Sequence, residues 1–388
     1  MSLYQRIREE TARRADALWA VASALHADPE TAFAEHRAAA LLTGEFEGAG
    51  FEVRRAAAGL PTAFTARSGE GRPVVALLLE YDALPGLGHA CGHNLIAAAG
   101  LGAALVADAV RDGAPGTVLA VGTPAEEGGG GKALQVEAGL YDGVDAALMF
   151  HPGVYDWARA PLTAQEQYRI GFRGRAAHPT GNPTEGIDAL AALVELFNVL
   201  SALGRRLPEG SHVQGIVTQG GTATNIVPEY AEGRFGLRAL TTAALDELAA
   251  QVRTAAEGVA RATGTTVTVD RASVRYEHFR DSAALSERFA GHLGRSGITL
   301  TPPAPGVYLG SSDIGNVSGR VPSIHPFVAI MGADGSDHTP EFAGAAASER
   351  ARRVLLAVVE ALACTAVDIL REEGLRDRAW EDLRRARV

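Results

Sequence analysis

Cys91-Gly92-His93 sets a thiol and an imidazole two residues apart, with His89 just before and a long apolar stretch just after. Thiolate and imidazole are both ligands for zinc-like ions, and a helix starting here is expected to lower the thiol pKa and favour the thiolate. Alone, such a pair is more often a buried cysteine beside a surface histidine. A second cluster is Thr123-Pro124-Ala125-Glu126-Glu127, followed by Gly128 to Gly131. Adjacent carboxylates repel when desolvated, so a cation or proton must compensate, and one carboxylate on metal with one on water is a natural division. The glycines let backbone pack close to the site, or simply form a loop. A phosphate loop ending at Gly131-Lys132 fails, because Glu126 stands at the first glycine position and Ala133 replaces the magnesium-binding hydroxyl. His151 and the Asp337-His338-Thr339-Pro340 stretch complete the set. Either histidine alone is better read as structural or solvent-exposed.

These residues gain meaning from the elements that carry them. Val74 to Leu79, Thr117 to Val121 and Ala146 to Phe150 are continuous apolar runs, as strands buried on both faces should be. Helical stretches such as Leu95 to Arg111 lie between them, the alternation of an open, mostly parallel α/β sheet. Each run ends in candidate chemistry: Glu80-Tyr81-Asp82 and the Cys91 loop, then Glu126-Glu127, then His151. Sites in such sheets form at the carboxyl ends of the strands, so ligands on four loops are expected to converge. From about Ala164 the pattern changes to strand (Gln167 to Arg173), helix (Ile187 to Leu203), strand (His212 to Val217), strand (Tyr230 to Leu237), helix (Leu245 to Ala262) and strand (Thr266 to Asp270). That order is ferredoxin-like. The sheet theme resumes with an apolar strand over Ser323 to Ile330 and a closing helix over Ala343 to Arg371. The reading is therefore a discontinuous catalytic domain, residues 1–163 and 283–388, interrupted by an α+β domain over 164–282.

A formal charge of -10 argues against a partner bound through phosphate neutralisation, so no nucleic acid is expected. The amphipathic pattern over Ser2 to Ala24 lacks the apolar core of a secretory signal, and no membrane segment is read. Two cysteines, Cys91 and Cys364, are too few for a disulfide framework and suit the reducing cytoplasm. Neither Gly86-Leu87-Gly88 nor Gly48-Ala49-Gly50 continues into a dinucleotide fingerprint.

Six stretches, in order, resemble one family: Tyr81-Asp82-Ala83-Leu84-Pro85, Gly88 to Asn94, Pro124 to Gly131, Ala177-His178-Pro179, Asn225-Ile226-Val227-Pro228 and Asp337 to Pro340. The chain is similar along nearly its whole length to the dinuclear metallo-aminoacylase and carboxypeptidase G group, in the branch of p-aminobenzoyl-glutamate and indoleacetyl-amino-acid hydrolases. The resemblance implies two divalent metal ions per subunit, held by Cys91, His93, Glu127, His151 and His338, with Cys91 bridging. It implies Glu126 as general base and acid, and Asp82 as a carboxylate orienting a ligand histidine. It also implies that the inserted domain is a dimerisation lid, that His178 reaches the partner subunit's site to polarise the scissile carbonyl, and that Asn225 contacts substrate. The wider family often has a metal-ligating histidine where this chain has Glu80, to which no role falls. Asn94, where auxin-conjugate hydrolases have Asp, tilts the substrate towards p-aminobenzoyl-glutamate or dipeptides.

The expected reaction is hydrolysis of an N-acyl or N-aroyl amino acid or a dipeptide, a small amide bearing a carboxylate, by metal-activated water. Zinc is the expected metal because of the thiolate, with manganese and cobalt as alternatives. The rival reading is a metal-binding scaffold of the same fold without activity, against which an intact Glu126 argues.

Overall fold

Val74–Glu80 is buried at six of its seven positions, which makes it the centre of the larger sheet in this computed structural model. The structure describes residues 1–182 and 184–386. In chain order the strands are β1 (Glu52–Arg55), β2 (Phe64–Glu70), β3 (Val74–Glu80), β4 (Gly116–Thr123), β5 (Ala146–Leu148), β6 (His151–Gly153), β7 (Ala164–Arg173), β8 (His212–Gln219), β9 (Tyr230–Ala239), β10 (Thr266–Arg271), β11 (Ser323–Ile324) and β12 (Phe327–Ala329). The helices are α1 (Leu3–Ala27), α2 (His36–Gly48), α3 (His93–Val110), α4 (Gly131–Glu137), α5 (Ala189–Gly204), α6 (Thr242–Thr263), α7 (Ala283–Gly294), α8 (Ile314–Ser318), α9 (Pro340–Ala345), α10 (Glu349–Arg371) and α11 (Glu373–Ala386). The chain forms two compact units, Met1–Pro161 with Phe279–Val388, and Leu162–His278.

In the first unit the sheet order is β1-β2-β4-β3-β5-β11. β4, β3, β5 and β11 run parallel, while β1 and β2 add an antiparallel hairpin that the apolar runs did not signal. α3 is long and apolar enough to cross a membrane, yet 89% of it is buried inside this unit, as for a core helix. Two glycines allow its depth. A Cβ on Gly100 would sit 2.8 Å from the Leu78 carbonyl of β3, and one on Gly102 would meet Leu18 of α1 and Val359 of α10 at 2.8 and 2.9 Å.

Three expectations about continuous elements are corrected. The strand expected over Ala146 to Phe150 ends at Leu148, so His151 opens a new strand instead of closing the old one. The strand expected over Ser323 to Ile330 likewise splits into β11 and β12, and β12 pairs in parallel with β6, placing Phe327 opposite His151. The break falls at His325-Pro326: proline has no N–H for a ladder, and its carbonyl instead accepts from His151 N at 2.9 Å. Finally, the closing helix is two helices. Thr339 caps α9 by accepting from Phe342 N, and Ser348 caps α10 by accepting from Ala351 N, each a side-chain oxygen that starts a helix afresh.

The second unit is a four-stranded antiparallel sheet in the order β10-β7-β9-β8, with α5 and α6 packed over one face. Ile170, Phe172, Phe235 and Leu237 of the strands meet Leu193, Leu196, Leu245, Leu248 and Val252 of the helices in its core. β8 is an edge strand, and Ile216 and Val217 on it are 60% and 50% exposed.

Candidate metal centre

His93 is the first residue of α3, entered through Gly92 in the left-handed region at φ 73°. Its Nδ1 lies 2.8 Å from the Asp82 carbonyl and 3.1 Å from Asp82 Oδ1. Both partners are acceptors, so Nδ1 carries hydrogen and Nε2 is left to face the site, where it makes no hydrogen bond among the described residues. Asp82 Oδ2 accepts from Glu127 N at 2.9 Å, so one buried carboxylate fixes both a histidine tautomer and the turn bearing the paired glutamates. Burial opposes a charge on His93, but Asp82, Glu80 and Glu127 outweigh it and raise its pKa well above the usual histidine value.

The Glu126-Glu127 turn is built from backbone that no loop would adopt casually. Ala125 is left-handed at φ 59°, and its N–H donates to Glu35 Oε1 at 2.9 Å. Glu35 is buried, also accepts from Phe33 N at 2.9 Å, and receives Thr62 Oγ1 at 2.7 Å. The glycine run is close packing: a Cβ on Gly131 would come within 1.9 Å of the Pro124 carbonyl. Burial first, then the charges of Glu80 and Glu127, push the Glu126 carboxyl well above the ordinary range.

His151 Nδ1 lies 2.6 Å from the Pro152 carbonyl, which leaves its Nε2 as the ligand atom, and the ring stacks on Phe327 with centroids 4.9 Å apart. His338 is left-handed at φ 56° and anchored by its N–H on the Ala90 carbonyl. Cys91 is buried, and here the sequence expectation fails. Burial, followed by the carboxylates of Glu127, Glu126 and Asp337, raises the thiol pKa instead of lowering it, so the helix N-terminus is outweighed.

The side chains gather into overlapping groups: Cys91, Glu127 and His338; His93, Glu126 and Glu127; and Glu80, His93 and His151, each with ligand atoms within 4.8 Å of one another. Glu127 Oε1 stands 3.9 Å from His93 Nε2 and 3.8 Å from His338 Nε2, so it is Glu127 that reaches both sides. Thiol, imidazoles and carboxylates, with a buried imidazole nitrogen lacking a partner, fit a zinc-like ion. In the second unit, His178 and Asn225 lie at the surface on loops joined by a bond from Val227 N to the Ala177 carbonyl. His178 Nδ1 accepts from Thr180 N and Gly181 N, which puts its hydrogen on Nε2. Asn94 is structural: its amide donates to the Ala22 and Ala346 carbonyls, each at 3.2 Å.

Sequence reasoning missed several residues. Glu35 is distant in sequence, and Lys132 was weighed only as a phosphate ligand. Lys132 Nζ in fact lies 2.6 Å from Glu80 Oε1 and 2.7 Å from Asp313 Oδ1, with all three side chains fully buried. His325 is buried against His151, Phe279 and Phe327, and burial pushes its pKa down to about 3. Lys132 follows a glycine run and Asp313 follows Ser311-Ser312, so neither carried a local signal of burial. Beside His338 lies a cavity of about 200 Å³ walled by Val154, Val307, Leu309, Phe327 and Phe342, with Asp337 on its lining.

Comparison with known proteins places the chain in a family. The peptidase dimerisation domain profile matches residues 166–264. The chain is 36% identical over 395 residues to the Xaa-Arg dipeptidase of Mus musculus, covering 96% of this chain and 90% of that protein. It is 30% identical over 431 residues to a p-aminobenzoyl-glutamate hydrolase polypeptide of Escherichia coli, covering 91% and 89%. Its fold matches a dinuclear metal binding peptidase of the M20 family from Bacillus subtilis with a TM-score of 0.72, at 21% identity over 92% of this chain and 99% of that one. Fold, site and relatives define a hydrolase of the peptidase and amidohydrolase class. The chain belongs to the M20 peptidase family.

Proposed function

We propose that this protein hydrolyses the amide bond of a dipeptide or an N-acyl or N-aroyl amino acid, with two divalent ions per subunit held by Cys91, His93, Glu127, His151 and His338. The observation that carries this reading is the single Glu127 oxygen 3.9 Å from His93 Nε2 and 3.8 Å from His338 Nε2, which joins two ligand groups into one centre. The donor set suits zinc best, with manganese and cobalt tolerated. Such a pair of ions supplies Lewis acidity, acidifying water and stabilising oxyanion charge.

Glu126 takes the proton of the attacking water and returns it to the leaving nitrogen, so that the amine departs neutral. Asp82 keeps His93 in the tautomer a ligand needs. Glu35 holds Ala125 N–H and with it the strained turn that aims Glu126. Glu35→Ala is expected to lower kcat about tenfold, an effect of ~1.4 kcal/mol, with little change in KM or metal content. Glu35→Gln, which retains an acceptor for Ala125 N, should recover most of it. Equal kcat for wild type and Glu35→Ala would remove Glu35 from this role.

His178 donates Nε2–H to the scissile carbonyl in the partner subunit's site, and Asn225 on the adjoining loop contacts the substrate. A homodimer follows from that assignment, and the exposed apolar residues on edge strand β8 support it. The reducing cytoplasm suits the two free cysteines, Cys91 and Cys364.

The test is a substrate panel on metal-loaded enzyme, read by release of free amine. It should contain Xaa-Arg and Xaa-Lys dipeptides, p-aminobenzoyl-glutamate and N-acyl amino acids. The relatives suggest the Xaa-Arg dipeptides and p-aminobenzoyl-glutamate, and Asp337 beside an apolar wall suits a cationic head on an apolar stem. If a dimer with both ions bound cleaves nothing on the panel, the reading falls and an inactive scaffold replaces it. Metal affinity should also fall as pH falls. The raised pKa values of Cys91 and His93 mean that protons occupy the ligand atoms until an ion displaces them. Titration with a metal indicator at pH 6 and pH 8 checks the sign, and affinity independent of pH would contradict it.

A further inference from the structure

Glu80 is the last residue of the central strand and fully buried, yet the five-ligand centre gives it no task. Its Oε1 is 2.6 Å from Lys132 Nζ, which is also 2.7 Å from Asp313 Oδ1, and Lys132 N donates to Asp313 Oδ2 at 2.8 Å. Two carboxylates share one ammonium in a fully buried place, where an uncompensated charge is costly, and burial with the charge of Glu80 outweighs Lys132 and raises the Asp313 pKa. Glu80 Oε2 faces the other way. Among the described residues it has no hydrogen-bond partner, and it stands 3.4 Å from His93 Nε2, which has none either. His151 joins them within 4.8 Å. A good hydrogen bond between Oε2 and Nε2 would be shorter, at about 2.9 Å. By contrast, two ligands of a tetrahedral zinc with bonds of about 2.0–2.1 Å lie about 3.4 Å apart.

We infer that Glu80 is a further metal ligand: its Oε2 binds the same ion as His93 and His151, while Lys132, held by Asp313, grips Oε1 and aims the carboxylate. This rests on the two-ion reading above. It adds positive charge beside the two carboxylates and gives a partner to two buried atoms that otherwise lack one among the described residues. It also explains why a lysine is buried beneath a site made for cations. Lys132 lies behind the carboxylate, bound to the oxygen turned away from the histidines, and its pKa is raised well above normal because Asp313, Glu80 and Glu126 outweigh the cost of burial. Supporting a ligating carboxylate through its second oxygen is a usual way to fix its orientation.

The experiment is metal occupancy of the full-length protein, measured by elemental analysis after dialysis against a graded chelator, together with the visible absorption of the cobalt-substituted form. Wild type should hold two ions. Glu80→Gln should hold one as tightly as wild type and the second about 10- to 100-fold more weakly, with altered cobalt bands. Glu80→His, which offers an imidazole in place of the carboxylate, should recover part of the second ion's affinity, whereas a merely structural glutamate would not be rescued by it. Should Glu80→Gln fold poorly because Lys132 loses one of its two partners, the triple variant Glu80→Gln, Lys132→Met and Asp313→Asn strands no charge and should show the same selective loss. Two ions bound at wild-type affinity with unchanged cobalt bands in Glu80→Gln or the triple variant would overturn the inference while leaving the two-ion reading intact. A wild-type protein that does not bind a second ion would overturn both.

Discussion

Glu126→Gln should lower kcat by about 10²- to 10⁴-fold, the usual worth of a positioned acid-base group, while both metal ions stay bound. Glutamine has the same shape and keeps an acceptor oxygen, so the turn held by Glu35 and Asp82 should survive. It cannot cycle a proton. The wild-type carboxyl is pushed well above the ordinary range by burial and by the charges of Glu80 and Glu127, which suits a group that must both take and give a proton near neutral pH. With cations bound the value will move down, because their charge favours the carboxylate. The acid limb of the wild-type kcat profile should therefore disappear in Glu126→Gln. Amine release on any cleaved substrate, with metal content measured on the same sample, separates lost chemistry from lost metal. Equal turnover by the two proteins would exclude Glu126 as the proton carrier.

Lys132→Met should be among the most destabilising single changes in the chain. It leaves Glu80 and Asp313 fully buried without the ammonium between them, and breaking a buried ion pair on one side costs about 3–5 kcal/mol. A domain of ordinary stability has about 5–15 kcal/mol to lose, so this variant should unfold at a markedly lower urea concentration. In wild type burial opposes the Glu80 charge, but Lys132 together with His93, His151 and His325 outweighs it and holds the Glu80 pKa down at about 2. That contribution is therefore complete above about pH 4.3 and is lost as pH falls through the lower folded value. Replacing all three, with Glu80→Gln and Asp313→Asn added to Lys132→Met, should restore most of the stability, because neutral groups of similar size strand no charge. A urea midpoint for Lys132→Met within error of wild type would mean that the network does not support the fold.

The sequence by itself determined the architecture in outline and the identity of the clustered donors. Continuous apolar runs at Val74, Thr117 and Ala146 read as strands buried on both faces, and each was followed by polar residues, so chemistry at the strand ends was legible. The strand-helix-strand-strand-helix-strand order of the second unit was legible for a similar reason, because its periods of two and 3.6 are local properties. Other features were decided by contacts between residues far apart in the chain. Pro326 and His325 break two strands together because they meet β6, whereas the cap at Ser348, which divides a helix whose apolar period alone looked continuous, is a local contact three residues long. The direction of the Cys91 shift could not be read locally, since Glu127, Glu126 and Asp337 approach it from other loops and overwhelm its helix. Glu35, Glu80, Lys132 and Asp313 were hidden in the same way. Only the tertiary structure says which charges pair in the interior, and 181 residues separate Lys132 from the aspartate that holds it.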